Sequence, residues 1–177
     1  MIPIKPILKS QYRASLDMLK QTINYCPENL WTDTAYPNPF WHVAYHALFF
    51  LHMYLQPDSD SFRPWSKHRK DYEFMGPVPW PPHNQPNIEE PYTKGQLMEY
   101  LHICEEMVDD AVEKLDLDAQ ECGFWWYKMS KFEHQFVNIR HTQHHAAQLM
   151  DRLRQVAGVG VDWIGGKTNR IKIMHSG

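Results

Sequence analysis

Apolar residues recur at steps of three and four along most of the chain, the spacing of one helix face. The first such stretch runs from about Pro6 to Tyr25, with Leu8, Tyr12, Leu16, Leu19 and Ile23 in register, and Pro27 blocks its continuation. A second runs from about Phe40 to Leu55. It is entered through Asn38-Pro39, a side-chain acceptor followed by proline at the first helical position. A third starts at Thr93, where Thr93-Lys94-Gly95-Gln96 fits a capping box, and its stripe is Leu97, Leu101, Cys104, Val108, Ala111 and Leu115. The fourth opens on a further capping box, Ser130-Lys131-Phe132-Glu133, and runs to Ala157, where Gly158 is a natural stop. At 1.5 Å per residue this last helix is about 40 Å long.

The connection from Gln56 to Tyr92 holds eight of the 13 prolines and has neither helical nor alternating strand periodicity. Tyr72, Phe74, Trp80 and Tyr92 give it apolar material to pack, so it is expected to wrap the helices as an ordered covering loop. Its length lets the second and third helices run in the same direction, which a short hairpin forbids. The expected fold is all-α: a four-helix bundle with one long crossover between helices 2 and 3. It forms a single unit over residues 1–157, with 56–92 the Pro-rich connecting loop. The Gly-rich stretch 158–177 reads as an extended C-terminal arm.

Charge narrows the function classes. The 177 residues carry 18 Lys and Arg against 21 Asp and Glu, a net −3, which argues against a dedicated nucleic-acid binder. No apolar run approaches the roughly 20 residues of a membrane span. The three cysteines, Cys26, Cys104 and Cys122, have no CxxC spacing, and the N-terminus lacks the apolar stretch of a signal peptide. A cytoplasmic protein is the expectation.

The 11 histidines are the compositional outlier, at about 2–3 times ordinary usage. The second helix is apolar on every side yet contains His42, His46 and His52. A buried imidazole needs hydrogen-bond partners or a metal, since a bare buried polar group costs about 1–3 kcal/mol. In the fourth helix His141 and His145 are four apart, so both lie on one face and can converge on one ion. A helix-2 histidine facing them completes a three-imidazole set, and periodicity does not choose which one. Asn138, Gln148 and Arg152 share that sector or its edge. The first two are candidates to orient an imidazole, and Arg152 to meet an anionic group, against the plainer readings of interhelical hydrogen bonds and an interfacial arginine. His134 lies two turns before His141 and reads as a hydrogen-bonded edge residue, while His144 falls on the solvent side. Trp80 and the run Phe124-Trp125-Trp126-Tyr127 read as core anchors or as walls of a site. Cys104 reads as a small core residue, and the basic stretch Arg63 to Lys70 as solvated.

Two segments carry a resemblance: Phe40-Trp41-His42-Val43-Ala44-Tyr45-His46-Ala47-Leu48-Phe49-Phe50, and Asn138-Ile139-Arg140-His141-Thr142-Gln143-His144-His145-Ala146-Ala147-Gln148-Leu149. The chain resembles the DinB/YfiT-like superfamily of metalloenzymes from about Ile7 to Ala157. The segment starting at Phe40 is similar to the family's helix-2 motif, a ligand histidine before an apolar run. The segment starting at Asn138 is similar to its helix-4 motif, His-x3-His followed shortly by Gln-Leu. The resemblance implies that His46, His141 and His145 are metal ligands, with His42 the rival to His46. It implies a divalent metal, zinc or nickel foremost, with iron, manganese or copper also compatible. It further implies a homodimer and a small-molecule substrate, a low-molecular-weight thiol in some relatives. Three neutral imidazoles with an open fourth position make a catalytic rather than a structural zinc site. The ion there keeps its full charge, enough to ionise a bound thiol or bring bound water to a pKa of about 7. The expected function is a divalent-metal-dependent enzyme activating a thiol or water, S-transferase-like or hydrolase-like. The alternative is a non-catalytic metal-binding or small-molecule-binding helical bundle.

Overall fold

The computed structural model describes residues 3–166 and 169–172. Its helices are α1 (Ile4–Tyr25), α2 (Glu28–Trp31), α3 (Phe40–Tyr54), α4 (Lys94–Lys114) and α5 (Lys131–Ala157). A hairpin of β1 (Trp163–Gly166) and β2 (Asn169–Ile171) follows. The protein is therefore mostly helical, with one small antiparallel sheet among the described residues.

The apolar stripes bury as their spacing requires. Tyr12, Leu16, Leu19 and Ile23 of α1 meet Leu97, Leu101 and Val108 of α4, Tyr45 and Leu48 of α3, and Leu149 and Leu153 of α5 in one core. Ion pairs fix the register on the outside. Lys9 meets Glu113, Arg13 meets Asp109 and Lys20 meets Glu105, so α4 runs antiparallel to α1. The Tyr12 hydroxyl donates to Gln135 Oε1, and the Gln143 amide reaches Met18, so α5 runs parallel to α1. Leu51 meets Asn138 and Tyr54 meets His134, and His46 meets His141 and His145, so α3 runs antiparallel to α5. These registers leave α3 and α4 pointing the same way, as the long connection allows.

That connection has no regular secondary structure, yet Trp65, Tyr72 and Tyr92 from it are buried in the main core. Trp65 stacks on Tyr100 with ring centroids 4.7 Å apart. The Tyr72 hydroxyl accepts from the backbone N–H groups of Glu89 and Glu90, and the Tyr92 hydroxyl donates to the Lys67 carbonyl. Its basic residues are tied down too: Lys67 pairs with Glu99, and the Arg69 guanidinium lies over the Tyr72 and Tyr92 rings.

Helix boundaries show where local chemistry acts. Thr93 and Gln96 form the complete reciprocal capping box. At α5 the Ser130 hydroxyl accepts from the Glu133 N–H, the forward half of such a box, and Gly158 ends the helix in the left-handed region at φ 65°. Asn38 does not cap α3: the cap position is Pro39, with no side-chain bond, and the Asn38 carbonyl accepts from Arg152 instead. The four-residue α2 has no counterpart in the periodicity because one turn is too short to show a face. The arm also departs from the extended reading. Its described part folds into the hairpin, with Val161 and Ile164 buried and the Gln21 side chain bonded at both ends to Asp162 backbone groups. Residues 167–168 and 173–177 of the expected arm lie outside the described residues.

Candidate metal centre and its cavity

His46 projects from the middle of α3, and His141 and His145 from successive turns of α5. Because α3 and α5 pack antiparallel along their length, these turns face one another. The Nε2 atoms of His46 and His141 are 3.1 Å apart, and those of His145 and His141 are also 3.1 Å apart. All three offer a ligand atom within 4.8 Å of the others, close enough to hold one metal ion. A tetrahedral ion bound at about 2.0–2.1 Å sets its nitrogens roughly 3.3 Å apart, close to the two 3.1 Å separations.

The outward nitrogens decide which way the inward ones face. His46 Nδ1 lies 2.6 Å from the Glu73 carbonyl oxygen, an acceptor only, so Nδ1 carries the hydrogen and donates. His145 Nδ1 donates in the same way to Gln148 Oε1 at 2.8 Å. Both rings therefore point a bare Nε2 lone pair at His141 Nε2. A neutral His141 has one hydrogen, which on Nε2 can satisfy one of them and leaves the other without a donor, and on Nδ1 satisfies neither. A proton does not resolve the conflict at neutral pH. Burial pushes His141 down to about 3, with the neighbouring His145 and His144 adding to the shift. Burial also holds His46 well below the ordinary histidine range, and lowers His145. A cation at the shared point satisfies all three lone pairs at once. His141 Nδ1 is enclosed with no hydrogen-bond partner among the described residues.

The remaining candidates go elsewhere. His42, the rival to His46, is buried one turn away with Nε2 2.8 Å from the Tyr72 carbonyl, so it anchors the covering loop and stays outside the cluster. His52 meets the Tyr100 hydroxyl, and His68 meets that of Tyr45. Asn138 donates to the Leu51 carbonyl, an interhelical bond that does not reach an imidazole. Gln148 does orient one. Arg152 donates to the Asn38 carbonyl and lies 4.2 Å from the Tyr36 ring centroid, an interfacial role away from the cluster. His134 is not a hydrogen-bonded edge residue. It is fully buried among Tyr54, Phe124 and Tyr127, with neither ring nitrogen partnered among the described residues. Burial lowers it to about 4. Cys104 is fully buried, and that burial pushes its thiol up, which removes it as a nucleophile at neutral pH.

Beside His46 opens a cavity of about 390 Å³, walled by α3, by residues 73–80 of the covering loop and by Trp126 and Tyr127. Phe50 links it to the cluster, with its ring 4.8 Å from His46 and 5.5 Å from His141 by centroids. Trp80 and Trp126 face each other at 5.6 Å, so the aromatic pieces of two separate loops serve as walls here. A larger hollow of about 680 Å³ lies between residues 59–60 and 120–129 and touches none of the three histidines.

One residue of this cavity carries no periodic signal in the sequence. Glu73 uses its carbonyl to hold His46 and has a carboxyl oxygen, Oε2, enclosed without a hydrogen-bond partner among the described residues. Burial pushes its carboxyl up to about 7, and Asp71 adds to the rise. A lone Glu in a proline-rich loop has the pattern of a solvated residue, and only the wrap of that loop over α3 encloses it. Among the described residues no helix is long and apolar enough to cross a membrane. Comparison with models of known families, with curated proteins and with solved structures finds no match for this chain.

Proposed function

We propose that this protein is a divalent-metal-dependent enzyme of the DinB/YfiT-like kind, built as a four-helix bundle from α1, α3, α4 and α5. Its metal is held by His46, His141 and His145, and zinc and nickel are among the ions that imidazole ligands suit. The observation that carries the proposal is the direction of the lone pairs. Two tautomers are fixed by outward bonds to Glu73 and Gln148, so His46 and His145 both turn an electron pair toward His141 Nε2, and the three nitrogens can reach one ion. A purely structural packing of neutral rings has no use for that arrangement.

A metal bound there supplies Lewis acidity toward a thiol or water. The chain's own residues do the rest. The Glu73 carbonyl and Gln148 Oε1 fix the ring orientations, which spares the site any reorganisation when charge develops. Phe50, Tyr54 and Trp126 line the adjoining cavity and limit its water. That cavity is large enough for a small molecule, which favours a reaction site over a closed structural one.

The test is turnover of thiols with electrophiles, and of simple esters and amides, by protein loaded with zinc or nickel. The loaded wild type is expected to be active, and His145→Ala to lose both metal and turnover. Equal activity in metal-stripped and loaded protein would overturn the proposal.

A further inference from the structure

The chemistry of the cavity walls narrows the substrate class at the proposed metal site, and this inference rests on that reading. The lining contains no lysine and no arginine. Its charged side chain is Glu73, whose Oε2 is enclosed without a partner among the described residues. The rings of Phe50, Tyr54, Phe74, Trp80 and Trp126 line the same cavity. Trp80 and Trp126 lie 5.6 Å apart by centroids and are inclined at 44°, while Tyr54 stands 5.4 Å from Phe50 and 6.5 Å from Trp126. Nearby polar ends are already engaged, since the Trp126 indole N–H donates to the Tyr54 hydroxyl at 3.4 Å.

Two physical consequences follow. An anionic group held away from the metal meets no counter-charge on the cavity walls and faces a carboxylate, so desolvating it there goes uncompensated. A cation gains twice, from the negative faces of the aromatic rings and from the charge of the Glu73 carboxylate at the wall.

We propose that the cavity takes a small molecule with an aromatic or alkyl body and a positively charged nitrogen. The cation sits against Glu73 and the Trp80–Trp126 walls, and the thiol or other donor atom is directed toward His46. Acidic peptide-like thiols are excluded by the same walls.

Three thiols of one scaffold test this at pH 8: benzyl mercaptan, its 4-aminomethyl derivative and its 4-carboxy derivative. Binding is read by quenching of tryptophan fluorescence, in zinc-loaded wild type, in Glu73→Gln and in the metal-free His145→Ala protein. The cationic probe is expected to bind at least ~10-fold tighter than the anionic one, a ratio typical of a desolvated charge contact. In Glu73→Gln that ratio is expected to fall to within about threefold, with an unchanged far-ultraviolet circular dichroism spectrum certifying the fold. The Glu73 carbonyl that holds His46 is untouched by this substitution.

The ratio between probes reads the cavity, whereas the loss of absolute affinity in His145→Ala reads the metal, so the two readings fail separately. A preserved ratio in His145→Ala with unchanged affinity supports the cavity and counts against the metal. Equal affinities, a preference for the anionic probe, no binding by any probe, or a cation preference that survives Glu73→Gln overturns the inference.

Discussion

At the scale of single residues, the cluster depends on what stands behind each ring. His145 is held by one side chain, Gln148, which lies exposed on the outer turn of α5. Gln148→Leu removes the acceptor and keeps the bulk. Metal affinity is expected to fall about 10–100-fold, the usual range for loss of an outer-shell bond. Competition with a chromogenic chelator measures it, and unchanged affinity would show that Gln148 does not set the ring. His134 makes a different prediction. It titrates near 6.5 when unfolded and near 4 when folded. Between those values the unfolded chain binds the extra proton, so acid favours unfolding and the effect vanishes above about pH 7. At pH 5 the loss is about 2 kcal/mol from this fully buried ring, and in metal-free protein His42, His46, His52, His141 and His145, all lowered by burial, add to it with the same sign. The Tm of metal-free protein should fall by at least about 4–8 °C between pH 7 and pH 5, and by less in His134→Phe. An equal fall in wild type and His134→Phe would mean that His134 is solvated.

At the scale of elements, sequence periodicity captures what periodic burial enforces. The four long helices, the Thr93 box and the Gly158 stop all arise from interactions within one or two turns, and these act wherever the residues occur. The His141–His145 pair is legible for the same reason, since four residues along a helix fix its geometry. The residue that holds His46 from behind is not legible, because Glu73 reaches it through a loop whose path depends on Tyr72 and Tyr92 entering the core. Asn38 has the pattern of a cap, but its carbonyl is engaged by Arg152, more than a hundred residues away. Loop packing of this kind makes its own prediction. Gly123, at φ 84°, lies so close to residues 57–58 that an added Cβ would be 2.4 Å from the Pro57 carbonyl oxygen. Gly158, at φ 65°, has open space around it. Gly158→Ala should cost about 1 kcal/mol from backbone strain alone. Gly123→Ala should cost clearly more, because the loop at 57–58 must move. Chemical denaturation of the two variants compares them, and equal losses would mean that the 57–58 and 123 loops are not in close contact.

At the scale of the molecule, α1 and α4 form a scaffold locked by surface ion pairs, while α3 and α5 form the half that bears the three histidines. The covering loop joins these roles, since its core residues fix it in place and its 73–80 stretch walls the cavity. A metal at the cluster would bridge α3 and α5 and stabilise only the folded state, so loading should raise the Tm in proportion to the logarithm of free metal. The function proposed for this molecule requires the imidazoles of His46, His141 and His145 to bind one divalent ion. Equilibrium dialysis against zinc, followed by metal analysis, tests it most directly when applied to wild type, His42→Ala and each of the three single alanine variants. One equivalent is expected in wild type and His42→Ala, and well under half an equivalent in the other three. Wild type that retains no metal, or loss of metal in His42→Ala with retention in His46→Ala, would contradict it.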